Sequence, residues 1–135
     1  MTQGKLFPDV DDIIAMLSSD QKQAIVILVI PSHTRREKKI PDQDIWASEG
    51  LRLMGDLYRG ATAFKTFKGV YKTDKGKYLY DEPILIESYA WEQDIEDKHK
   101  LNKLVEFARR MGKETDQEAV MLVFDAVMYY VNPRR

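Results

Sequence analysis

The apolar positions of this chain change period several times, and each change marks an element. Residues 24–30, AIVILVI, run apolar and β-branched without interruption, which predicts a short strand buried on both faces near the centre of a sheet. Pro31 ends its ladder because it has no N–H to donate. Trp46, Leu53 and Leu57 then recur at i, i+7 and i+11, with Gly50 and Met54 on the same side. That stripe predicts an amphipathic helix, with Asp42 at its cap and Gly50 letting it lie close to the sheet. Gly60 is placed to end it in a left-handed conformation. ILIESYA, residues 84–90, predicts a second strong strand with Pro83 tolerated at its start. Leu101, Leu104, Val105, Ala108 and Met111 return to helical spacing, with acids early, Arg109, Arg110 and Lys113 late, and Gly112 as the stop. QEAVMLVFDAVMYYV closes the chain as one long strand, or as two with a bulge at Asp125–Ala126.

Weaker signals fill the gaps. FPDVDDIIAMLSSD predicts a short N-terminal helix over about 9–18, with acids at its positive end. In FKGVYKTDKGKYLYDEP, Thr73-Asp74-Lys75-Gly76 is a hairpin turn between two tyrosine-bearing strands. Gly60-Ala61-Thr62 reads as a packing turn that sends Phe64 and Phe67 into the core. The order is a helix followed by β-α-β-β-α-β. This predicts one α+β domain over 1–135, core about 24–131. Its expected form is ferredoxin-like: an antiparallel four-stranded sheet with two helices on one face, residues 24–30 and 84–90 at its centre. The closing strand alternates two apolar sets, Val120-Leu122-Phe124 and Met121-Val123. A strand apolar on both faces requires a second layer, most simply a partner subunit, so a dimer is expected.

Composition narrows the function classes. At 44% hydrophobic and 32% charged, the 135-residue chain is globular in type, and its longest apolar run is far too short to span a bilayer. The N-terminus lacks the apolar core of a signal peptide. Zero cysteines exclude disulfides and thiolate chemistry and fit a cytoplasmic location. A net charge of −1 argues against a binder of long nucleic acid. The charge is unevenly spread: residues 59–77 hold six basic residues against Asp74, whereas residues 81–97 hold seven acids and no base. The simple reading is complementary charge on neighbouring strands of a solvated face; the sharper one is two patches that complement each other across a subunit contact.

No motif of established chemistry is present: no glycine-rich dinucleotide loop, P-loop, nucleophile elbow or metal-ligand spacing. Neither a cofactor nor a metal is therefore expected. Of the two histidines, His99 sits among lysines on the polar side of a helix. His33 follows the end of a buried strand, where sheets expose ligand sites. Behind it stand Arg35, Arg36, Lys38 and Lys39 against Glu37. Arginine forks suit phosphate or carboxylate, which makes Arg35, Arg36 and Lys38, with Thr62, candidates for an anionic, nucleotide-sized ligand. The competing reading is a plain solvated connection. In a catalytic alternative His33 is a general base, with Glu87 or Tyr89 of the neighbouring strand as partner. Glu114 and Gln117 read as structural partners for turn amides.

RGATAF, GVYKTDKGKYLYDEPILIESYA and QEAVMLVFD together resemble a family of small prokaryotic domains with a Gly-x-Thr turn, a Gly-x-Tyr strand and a Gln-Glu-x-Val final strand. The likeness covers residues 24–131. It implies a ferredoxin-like α+β fold and carries no established activity. The expectation is a self-associating, non-catalytic domain that recognises an anionic small molecule or a protein partner.

Overall fold

The computed structural model describes residues 9, 11, 12, 23–125 and 127–134; the helix expected over about 9–18 lies for the most part outside them. Seven strands and three helices follow in the order β1 (Gln23–Ile30), α1 (Gln43–Tyr58), β2 (Thr62–Lys65), β3 (Gly69–Lys72), β4 (Tyr78–Asp81), β5 (Ile84–Trp91), α2 (Glu92–Ile95), α3 (Lys98–Glu114), β6 (Val120–Phe124) and β7 (Val127–Val131). Five strands make one antiparallel sheet, ordered β2-β5-β1-β6-β7. The fold is α+β, with one strand more in the sheet than the four expected. The apolar run is the middle strand and ILIESYA lies beside it, because only flanked positions suit side chains apolar on both faces.

Alternation along these strands sorts the sheet into two faces. Val26, Leu28 and Ile30 of β1, Ile84, Ile86 and Ala90 of β5, and Val120 and Leu122 of β6 are buried. They face α1 and α3, whose Trp46, Met54, Leu57, Leu104, Ala108 and Met111 complete the core. Gly50 is required here: a Cβ on it would lie 2.9 Å from Ile86 Cδ1 and 3.4 Å from Leu28 Cδ2. Trp46 meets Phe107 edge to face at 5.9 Å, tying α1 to α3.

Several local expectations change. Thr62–Lys65 is an edge strand paired with β5, not a packing turn. Phe64 and Phe67 are therefore exposed, Phe67 at 92%. The tyrosine-bearing strands pair only with each other, as the separate hairpin β3–β4. Arg59, not Gly60, takes the left-handed position after α1, and Asp42 stands at the cap without a side-chain bond. Gly112 lies inside α3, where a Cβ would come 2.6 Å from Pro133 Cγ. Its role is close packing rather than helix termination. Asp97 breaks the long helical stretch into α2 and α3 by accepting from the backbone N–H of His99 and Lys100. The closing segment is a hairpin, β6 and β7, with Asp125 at φ 52°. Among the described residues no helix is long and apolar enough to cross a membrane.

Candidate functional site

The loop after β1 is tightly built. His33 and Lys39 form an antiparallel bridge, and the Thr34 amide donates to the Lys38 carbonyl at 2.7 Å. The Thr34 hydroxyl accepts from the amides of Arg36 and Lys38 at 3.2 and 3.3 Å. Glu37, at φ 65°, takes the left-handed corner. A threonine that binds the backbone two and four residues on is a standard turn device. This segment is thus an ordered turn that holds its side chains in place.

Ser32 anchors that turn to the rest of the fold. Its hydroxyl is buried, accepts from the Glu82 amide at 2.8 Å and lies 2.7 Å from His33 Nδ1. On the other side, Gln117 Nε2 donates to the His33 carbonyl at 2.8 Å and to the Thr115 carbonyl at 3.1 Å. Gln117 therefore serves carbonyls, where turn amides were expected. Glu114 pairs instead with Arg110 of its own helix at 3.7 Å.

Asp116, at φ 52° between α3 and β6, gathers the local cations. Arg35 Nε approaches its carboxylate at 2.9 Å, Arg36 Nε at 3.9 Å and Arg134 Nη2 at 3.8 Å. Arg134 also donates to the Gln117 carbonyl at 3.0 Å. Three guanidinium groups thus share one carboxylate, with Glu37 and Glu118 also beside this cavity. Lys38 has no ion-pair partner among the described residues, while Lys77 of the hairpin pairs with Glu37 at 3.2 Å.

Between this turn and the β3–β4 hairpin lies a cavity of about 320 Å³, lined by Ser32, His33, Thr34, Arg35, Tyr71, Tyr80, Asp81 and Gln117 among others. The Asp81 carboxylate folds across Gly69: a Cβ there would sit 2.4 Å from Asp81 Oδ1. The cavity combines aromatic surface, an imidazole and one arginine with three carboxylates, Glu37, Asp81 and Glu118, the mixed lining of a small-molecule site. A larger hollow of about 510 Å³ runs between α1 and α3. There Arg110 pairs with Glu49 and stacks over Trp46 at 4.9 Å and Phe107 at 5.4 Å, so its main cation is already engaged.

Of the residues nominated from sequence, the cavity unites His33 and Arg35, and Arg36 joins Arg35 on Asp116. Thr62 does not belong: it pairs with Glu87 across the edge of the sheet. Glu87 and Tyr89 also lie elsewhere. Glu87 stands level with Ile27, three residues or roughly 10 Å along the strand from the Ile30–Ile84 end that leads to His33. The Tyr89 phenol is raised above its ordinary pKa chiefly by its hydrogen bond to Glu87. Sequence reading missed Ser32, Tyr71, Asp81, Asp116 and Arg134 as members. Gly69 opposite an acid was the one local signal available.

A second charged cluster stands at the opposite end of β5. Asp94 is buried and accepts from Lys100 Nζ at 2.6 Å and Arg59 Nε at 3.0 Å. The Lys100 hydrogen bond holds its carboxyl below the usual range; burial opposes and Arg59 assists. Burial, with Asp94 and Asp97 nearby, pushes the Tyr58 phenol up to about 12. The Tyr58 hydroxyl and the Ser88 hydroxyl are buried without a hydrogen-bond partner among the described residues.

No family model and no curated protein matches the chain. Solved structures do. An apo phage SAM lyase superimposes with a TM-score of 0.56 at 9% identity, over 95% of this chain and 96% of that one. A phage SAM lyase in complex with S-methyl-5'-thioadenosine gives 0.54 at 12% identity, over 83% and 91%. A divalent ion tolerance protein, CutA1 from Ehrlichia chaffeensis, gives 0.45 at 13%, over 87% and 86%. At these identities the phage lyases share a fold with this chain.

Proposed function

We propose that this protein is a ferredoxin-like, self-associating domain whose subunits pack through the face of the sheet away from the helices. The strand order supports the ferredoxin-like reading: β2-β5-β1-β6 has the split β-α-β arrangement, with β7 added at one edge and the β3–β4 hairpin inserted before β5. The observation that carries self-association is the composition of the open face. Phe64, Leu85, Tyr89, Ile25, Ile27, Val29, Met121, Val123, Met128 and Tyr130 follow one another across all five strands by register. Six of them are more than a third exposed: Ile25, Phe64, Tyr89, Met121, Met128 and Tyr130. An apolar patch of that continuity marks an interaction site on a folded protein. A second copy is the occupant chosen, because the same face on each copy is self-complementary in chemistry.

The recognition role rests on the His33 cavity. The phage lyase that shares this fold was solved with a nucleoside thioether, and the local lining here suits the same ligand class. Tyr71 and Tyr80 offer ring surface for a base and Asp81 can accept from ribose hydroxyls, while Arg35, held by Asp116, is the one cation among the lining residues. The catalytic alternative loses its nominated partners, since Glu87 and Tyr89 stand on the open face, and His33 meets Ser32 instead. Native mass spectrometry on gently purified protein tests both parts. The expected spectrum is an oligomer carrying a small adduct that Arg35→Ala removes. A bare oligomer would reject the ligand, and a bare monomer would reject self-association. His33→Ala should leave assembly intact while weakening ligand retention.

A further inference from the structure

Two sets of charges stand at opposite ends of β5 without partners. At one end the β3–β4 hairpin forms its own two-stranded sheet beyond the main one and carries Lys68, Lys72 and Lys75, none of which has an ion-pair partner among the described residues. Two of the three stand over aromatic rings: Lys68 Nζ lies 5.8 Å from the Tyr80 ring and Lys72 Nζ 5.7 Å from the Tyr78 ring. Val70, Tyr80, Lys72 and Tyr78 share one side of the hairpin by register, and all are exposed. At the other end of β5, Glu92, Glu96 and Asp125 border a hollow of about 390 Å³ lined by no basic residue among the described residues. All three acids are exposed and, unlike Asp94, have no cation within ion-pair distance among the described residues. An eight-residue strand separates the two ends by roughly 25 Å, too far for either set to neutralise the other within one chain.

We propose that the basic hairpin of one copy docks against the Glu92–Glu96–Asp125 end of a second copy, so that the two subunits pair with their strands running in opposite directions about a twofold axis. This rests on the self-association reading and specifies its orientation. Two sheets packed face to face can be related by a twofold axis parallel to the strands or perpendicular to them. The parallel axis brings hairpin against hairpin and acid against acid, placing like charges together. The perpendicular axis brings each hairpin to the other copy's acidic end, twice per pair. Such complementarity fixes register and orientation more than raw affinity.

The chain has no cysteine, so single-cysteine variants give a clean test. Lys75→Cys and Glu96→Cys proteins, mixed and treated with a short bis-maleimide, should yield a covalent dimer that neither gives alone. Crosslinking of Lys75→Cys with itself would overturn the orientation. No crosslink in any combination, with the protein still sedimenting as an oligomer, would overturn the hairpin contact and leave self-association standing. A wild-type monomer would remove both. As a second measurement, K68E/K72E/K75E should weaken association at least tenfold at low salt, and E92K/E96K likewise. Mixing the two variants should restore it, with all effects fading as salt is raised. If the hairpin reversal abolishes binding of a single-stranded oligonucleotide and leaves assembly unchanged, the hairpin serves nucleic acid and the docking proposal fails.

Discussion

The two faces of the central sheet are built from the same strands and differ in what covers them. Towards the helices, Leu28, Ile86 and Leu122 align across three strands by register and are at most 2% exposed. One residue along, Ile27 aligns with Glu87 and Val123 on the open side. There the apolar residues remain partly exposed, and a carboxylate is tolerated among them. Strand chemistry alone cannot distinguish these faces, because both are rich in branched apolar residues. The covering layer makes the difference: among the described residues, helices cover one face and nothing covers the other. Substitution effects should therefore divide by face, with stability lost on one side and association on the other.

The largest effect is expected on the helix face. Leu28→Ala or Ile86→Ala removes a fully buried side chain and should lower unfolding free energy by roughly 2–5 kcal/mol, as a cavity opens against α1 and α3. Urea denaturation reads this directly. Comparable losses at Ile27 would erase the distinction between faces. Gly112→Val should also be costly, since its side chain would meet the Pro133 ring, and a depressed melting temperature without loss of secondary structure is the expected result.

A smaller effect on stability, with a large one on assembly, is expected from the open face. Met121→Lys places a charge where the side chain is 37% exposed in the single subunit. Its monomer should unfold within about 1 kcal/mol of wild type, while its association weakens. Loss of folding in that variant would mean that the face is part of an internal core.

The weakest effects sharpen the comparison at the charged end of α2. Asp94 has a carboxyl pKa lowered by Lys100, so its stabilising contribution is present above the ordinary value of 3.8 and lost as pH falls through the lowered one. Asp94→Asn should flatten the acid limb of a stability-versus-pH curve. Tyr58 has a pKa raised from 10.0 to about 12. The folded state then holds its proton more tightly than the unfolded chain, and stability falls as pH rises across that interval. Tyr58→Phe should flatten the alkaline limb. At neutral pH it should be nearly neutral or slightly stabilising, because the hydroxyl it removes is buried and unbonded.

Much of the architecture was legible in the sequence, for identifiable reasons. The AIVILVI run has one reasonable reading, and the structure makes it the middle strand. The stripe from Trp46 to Leu57 and the helix ending near Glu114 follow from 3.6-residue periodicity and amphipathic charge. What stayed hidden was tertiary in origin. Thr62–Lys65 is a short strand whose partner lies across the sheet, and no local period marks four residues. Gly112 resembled a helix stop, yet the distant Pro133 explains it. In the candidate site, His33 was visible from its place after a buried strand. The residues that fix it, Ser32 and Gln117, act through single hydrogen bonds to Glu82 and to the His33 carbonyl. Arg134 reaches Asp116 from the far end of the chain. Contacts between segments so distant leave no pattern in the sequence.

Self-association through the open face is tested most directly by sedimentation velocity on wild-type protein beside Ile25→Lys, a substitution at the open-face position paired with Tyr89. The account predicts a wild-type species of more than one chain at micromolar concentration. It predicts an Ile25→Lys variant that sediments as a single 15.7 kDa chain with its melting temperature nearly unchanged. A wild-type protein that remains a single chain at the highest soluble concentration would contradict it.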